Sequence, residues 1–126
     1  MTQPRLRIAS TVINAPDPRE LAGFYQRLMG WEIVDDEPDW VKLQPAGGGT
    51  ALAFQSDPEF TRPVWPPRPE EQQMLLHLDI AAEDLEAAVA WAIQSGAVVA
   101  DHQPGDESTV MLDPVGNPFC LFKDPT

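Results

Sequence analysis

Two short runs hold the side chains in this sequence that best combine for coordination or covalent chemistry. "MLLHLDI" (residues 74–80) carries His77, one of two histidines, two positions before Asp79. "DPVGNPFCLF" (residues 113–122) carries Cys120, the only cysteine. If the first run is a strand, residues two apart share a face, so His77 and Asp79 would stand together opposite Leu76, Leu78 and Ile80. An imidazole beside a carboxylate can bind a metal, take up a proton or serve as a hydrogen-bonded pocket wall. A thiol can be a nucleophile or ligand if a neighbour activates it. Within an apolar run such as "PFCLF" it can equally be a small buried hydrophobe. The residue types leave all three roles open for Cys120.

The elements that must position these groups follow from periodicity. "DPRELAGFYQRLMG" places Leu21, Phe24, Tyr25 and Leu28 on one helical stripe. Asp17 is the expected N-cap, Pro18 the first helical residue and Gly30 the stop. "AEDLEAAVAWAIQSG" gives a second helix with Leu85, Ala88, Val89 and Ala92 on one face and Gly96 closing it. Acidic residues crowd both first turns, where the helix dipole favours them. Strand-like runs precede each helix (8–14; 74–80), and three follow each (31–35, 40–44, 51–55; 97–100, 109–112, 119–122). The Gly47–Gly49 run and the Asp113–Gly116 turn occupy equivalent hairpin connections. The chain therefore reads as βαβββ written twice, an α+β fold.

The spacing between halves agrees. Ser10 lies 20 residues before Gly30, and His77 lies 19 before Gly96. Gln55 lies 25 residues after Gly30, and Cys120 lies 24 after Gly96. Ser10 and His77 are thus expected at equivalent positions on first strands, and Gln55 and Cys120 on last strands. The expected organisation is one domain over residues 1–126. Module one runs over about 6–55, a proline-rich connection over 56–73 and module two over about 74–123. Phe60 and Trp65 ride on the connection, Trp65 as a candidate cover for a pocket mouth.

Composition narrows the partners. At 126 residues and a net charge of −12, the chain can bury a core but lacks the clustered Lys and Arg that nucleic-acid binding needs. A single cysteine permits no intramolecular disulfide, as in a reducing compartment. "MTQPRLRIAS" has no apolar signal-like stretch, and no run approaches membrane-spanning length. A soluble, cytoplasmic protein with neither nucleic-acid nor membrane partner is expected. There is no GxSxG elbow, P-loop, HExxH or CxxC motif.

Together, "DPRELAGFYQRLMGWEI", "HLDIAAEDLEAAVAWAIQSGA" and "LDPVGNPFCLF" resemble the vicinal oxygen chelate superfamily, which includes glyoxalase I, bleomycin-resistance proteins and extradiol dioxygenases. The resemblance spans essentially the whole chain. It implies two βαβββ modules whose curved mixed sheet encloses a small-molecule pocket, and it implies a homodimer. In metal-dependent members, the first and last strands of each half supply four ligands, which here are Ser10, Gln55, His77 and Cys120. The implied cofactor is then a divalent metal (Zn, Ni, Mn or Fe), held by His77 with Gln55 in an incomplete set. The family pattern has Glu where this chain has Cys120, which argues against glyoxalase I activity, since that chemistry needs a carboxylate.

The expected pocket lining is Asn14, Trp40, Phe54, Gln55, Trp65, His77, Asp79 and Cys120, and no catalytic residue is assigned. Two functions remain. One is a binder of a small organic molecule, as bleomycin-resistance proteins are; the other is a metal-dependent lyase, isomerase or dioxygenase with an atypical His/Gln/Cys site.

Overall fold

The structure, a computed structural model, describes residues 2–124. In chain order it contains β1 (Ser10–Ala15), α1 (Pro18–Met29), β2 (Glu32–Glu37), β3 (Trp40–Gln44) and β4 (Ala51–Ser56). There follow β5 (Leu78–Ala82), α2 (Leu85–Ser95), β6 (Val98–Val99), β7 (Ser108–Leu112) and β8 (Pro118–Lys123). The βαβββ order occurs twice, in two compact units that divide between Phe60 and Thr61.

In the first unit, the Asp17 carboxylate accepts from the backbone N–H groups of Arg19 (3.1 Å) and Glu20 (3.4 Å) at the start of α1. Gly30 ends the helix at φ 72°, and its N–H donates to the Gln26 carbonyl at 2.8 Å. That left-handed backbone is open to glycine and costly for other residues. The sheet order is β1-β4-β3-β2, with β1 parallel to β4 and the other pairs antiparallel. Alternation along the strands sends Ile13, Ala15, Val41, Leu43, Leu52 and Phe54 towards α1, which buries Leu21, Ala22, Phe24 and Tyr25 in return. Tyr25 stacks on Phe54 with ring centroids 5.6 Å apart and meets Phe24 edge-on at 4.8 Å.

The second unit repeats the plan, with sheet order β5-β8-β7-β6 and β5 parallel to β8. Asp84 caps α2 by accepting from the Ala87 N–H at 3.1 Å, and Gly96 terminates it. Phe119 and Leu121 of β8 and Met111 of β7 form the buried layer on the α2 side. The Asp113 carboxylate is buried and holds the β7–β8 turn, accepting from Val115 N–H at 3.0 Å and Asn117 N–H at 2.9 Å.

Residues from Thr61 onward cluster with the second unit, and residues 57–77 form no helix or strand. There the Arg62 guanidinium donates to the Pro114 carbonyl (3.3 Å), and Pro63 is buried. Strand β5 also begins at Leu78, so His77 precedes the first strand of its unit instead of lying inside it.

Candidate functional site

Among the described residues, one group of potential metal-binding side chains comes together: His77, Asp79 and Cys120, whose ligand atoms all lie within 4.8 Å of one another. The geometry follows from strand pairing. β5 and β8 run parallel with Asp79 opposite Cys120, so their side chains emerge side by side. Leu78 and Phe119, the preceding pair in the ladder, point the other way, into the α2 layer. His77, two residues before Asp79, returns to the same face, and its Nε2 lies 3.3 Å from the Asp79 Oδ1. His77 and Asp79 are accessible, with 44% and 63% of their side-chain surface exposed, whereas Cys120 is half-buried.

The thiol of Cys120 is pushed up from its ordinary value of 9.0, first by burial and then by the negative charge of Asp79. Without a cation, this thiol is therefore held protonated and is a poor nucleophile at neutral pH.

Alongside the cluster lies an open groove of about 640 Å³, lined by Asp79, Glu107, Ser108, Cys120, Phe122 and Lys123. Four of these residues were not anticipated from sequence. Phe122 had a usable signal, since it sits one strand period beyond Cys120, and Ser108 pairs directly with Phe122 across the β7–β8 ladder. Glu107 lies in the loop before β7, and nothing in the sequence pointed to it.

Of the other expected residues, Asn14, Gln55 and Trp40 stand abreast across β1, β4 and β3 of the first unit, on the face opposite α1. Asn14 donates to Asp57 (3.3 Å), and the Trp40 indole donates to Asp35 (3.3 Å). Phe54 is a correction. It is fully buried between β4 and α1 against Tyr25, because its place in the alternation puts it on the helix side. Trp65 is also placed differently from expectation. Its indole N–H donates to the His102 carbonyl at 2.9 Å, and it is not among the residues lining the groove.

The two units also show where the repeat was misaligned. Asp57 N–H donates to the Ala15 carbonyl at 2.9 Å in the first, and Asp124 N–H to the Ala82 carbonyl at 2.8 Å in the second. Both positions shift by 67 (15 to 82, 57 to 124), so His77 corresponds to Ser10, as the spacing suggests. Cys120, however, corresponds to Ala53, and Gln55 corresponds to Phe122. The expected pairing of Gln55 with Cys120 is off by one side-chain period. Counting from the helix-ending glycine crosses two strands and three connections of unequal length, and the error accumulates there.

Residues 10–122 match the model of the glyoxalase-like domain. The chain belongs to the glyoxalase-like domain family. No curated protein matches it significantly. Solved structures share the fold of this family member at low identity. A glyoxalase/bleomycin resistance protein/dioxygenase family enzyme from Burkholderia phytofirmans PsJN is 17% identical, with a TM-score of 0.71 over 94% of this chain and 98% of its own. A glyoxalase-related enzyme from Fulvimarina pelagi is 18% identical, with a TM-score of 0.66 over 94% and 88%. A bleomycin resistance determinant encoded on the transposon Tn5 is 18% identical, with a TM-score of 0.61 over 96% and 100%.

The fit of this family member to a metal rests on its donor atoms. An imidazole nitrogen, a carboxylate oxygen and a thiol sulfur are all ligand types that a first-row divalent ion accepts. Asp79 places a carboxylate directly beside Cys120 on the neighbouring strand. Gln55 is a weak amide ligand carried by β4 of the first unit.

Proposed function

We propose that this protein is a binder of a small aromatic or amphipathic molecule, neutral or cationic, which lies in the groove on β8 of the second unit. The observation that carries this reading is the groove itself, with the Phe122 ring and the half-buried Cys120 as an apolar floor and Asp79, Glu107 and Ser108 as polar contacts. Asp79 and Glu107 outnumber Lys123 in the lining and so favour a cationic group over an anionic one, as does the net charge of −12. Membership of a fold group that includes a bleomycin resistance determinant supports the same reading.

The test is native mass spectrometry and calorimetry of chelator-treated protein against a panel of aromatic amines, aromatic acids and uncharged aromatics. Retention of amines or neutral aromatics unchanged in mass, weakened about tenfold or more in Phe122→Ala, is the expected result. Preference for the acids, or binding indifferent to Phe122→Ala, would refute it. A metal-dependent lyase, isomerase or dioxygenase is the second reading, favoured by the convergence of His77, Asp79 and Cys120. Ligand conversion that requires added metal and is lost in His77→Ala would put that reading first. A homodimer in the cytoplasm completes the proposal, and light scattering on purified protein measures the first part of it.

A further inference from the structure

We infer that the loop joining β6 to β7 is the charge-selecting wall of the groove, with Glu107 as its ligand-facing carboxylate and Gln103 as the residue that positions it. The inference rests on the reading of the groove as a ligand site. It adds what sets the charge preference there and what holds that setting in place.

Three observations carry it. First, Gln103 extends the β6–β7 ladder with its side chain. The backbone pairing runs through Val98 with Leu112 and Val99 with Met111, and then through the Ala100 N–H, which donates to the Val110 carbonyl at 3.0 Å. Beyond that point the chain leaves the ladder and the Gln103 amide takes the next rung. Its Nε2 donates to the Ala100 carbonyl at 2.9 Å and to the Val110 carbonyl at 2.8 Å, and its Oε1 accepts from the Val110 N–H at 2.8 Å. Val110 is buried, so both of its backbone groups need partners, and a neutral amide offers a donor and an acceptor from one planar group. Second, the neighbouring residue is anchored as well. The Trp65 indole N–H donates to the His102 carbonyl at 2.9 Å, and its ring tilts against the His102 imidazole with centroids 6.2 Å apart. Third, only four residues (104–107) separate Gln103 from Ser108, where β7 begins, and the first of them is Pro104. A tether this short, with one φ fixed by proline, leaves Glu107 little freedom beside the groove it lines. Gln103 is not among the residues lining the groove, so it acts through Glu107. Position matters because of Lys123. Ser108 pairs with Phe122, and the antiparallel ladder continued by one residue brings Glu107 level with Lys123, the cation of the lining. A slack loop would let the carboxylate fold onto the ammonium and cancel its charge, whereas a fixed one keeps that charge available to a ligand.

The experiment uses Cys120, which lines the same groove, as a built-in reporter of local charge. The full chain is modified with a cationic and an anionic methanethiosulfonate of similar size, and the ratio of the two rates is measured. Both reagents consume the thiolate, so any change in the acidity of Cys120 cancels in the ratio. For unit charges roughly 10 Å apart at about 10 mM ionic strength, Glu107→Gln should lower the cationic-to-anionic ratio about threefold, and about 0.5 M salt should erase the difference. Gln103→Met, similar in size and without the amide, should lower the ratio in the parent but not further in a Glu107→Gln background, with circular dichroism confirming the fold. A loss of structure without positioning would act equally in both backgrounds. Two glycines inserted between Gly105 and Asp106 keep the Gln103 hydrogen bonds and slacken only the tether, and should lower the ratio as Gln103→Met does. An unchanged ratio in Glu107→Gln or in the glycine insertion, or equal effects of Gln103→Met in both backgrounds, would each overturn the inference. The thiol reagents need no aromatic ligand, so failure of the aromatic panel is read separately from failure here.

Discussion

Replacing Asp113 should show how far the β7–β8 turn fixes the position of Cys120. The Asp113 carboxylate is 2% exposed and accepts two backbone hydrogen bonds, from Val115 at 3.0 Å and Asn117 at 2.9 Å. A hydrogen bond to a charged group contributes about 1.5–3 kcal/mol, and loss of the acceptor also leaves two donors without their partner. Asp113→Ala should therefore cost about 3–5 kcal/mol, a large share of the roughly 5–15 kcal/mol that holds a typical domain folded. Asp113→Asn keeps an acceptor oxygen in the same place and should cost about 1–2 kcal/mol. Urea denaturation followed by tryptophan fluorescence measures both. The midpoint should fall by about 2 M in Asp113→Ala at unchanged slope. The same variant should label faster at Cys120, because β8 follows directly from the turn. A loss below about 1 kcal/mol in Asp113→Ala, or equal losses in the Ala and Asn variants, would refute the assignment of the turn's stability to this carboxylate.

Four further outcomes are expected. Gly30→Ala should destabilise by about 1–2 kcal/mol through backbone strain alone, since φ is 72° and an added Cβ meets nothing within 4 Å; thermal denaturation checks this. Phe54→Ala should cost about 3–5 kcal/mol because the ring is buried against Tyr25, whereas Trp65→Ala, with one hydrogen bond to His102 and a partly exposed ring, should cost about 1–2 kcal/mol; parallel denaturation curves separate the two. Asp79→Asn removes the negative charge that raises the Cys120 thiol, so alkylation at pH 8 in metal-free protein should be faster than in the parent. Because the native thiol titrates above its ordinary value of 9.0, its contribution to stability is complete below that value and is lost as pH rises through the native one. Comparison with Cys120→Ala over that alkaline range shows the difference directly.

Local rules made much of this protein readable from its sequence. Asp17, Gly30 and Gly96 hold the capping positions expected of them, whereas Asp84, expected within the first turn of the second helix, is its N-cap. Alternation in "HLDI" put His77 and Asp79 on one face, and the pairing of β5 with β8 leaves them there. Alternation also had the information to place Phe54 in the core, because its neighbours Ala53 and Gln55 lie on the opposite face. Expecting both Phe54 and Gln55 in one pocket ignored that period of two.

The sequence by itself therefore determined both helices, the caps Asp17, Gly30 and Gly96, the doubled βαβββ order and the alternation of faces along the strands. Those properties depend on residues within a few positions of one another. Tertiary structure decided the register between β5 and β8, which puts Cys120 beside Asp79 and makes Ala53, rather than Gln55, its counterpart in the first unit. Register between strands 41 positions apart (79 to 120) depends on loop lengths and on packing of the whole sheet. No local pattern encodes it, so the His77–Asp79–Cys120 cluster appears only once the chain is folded.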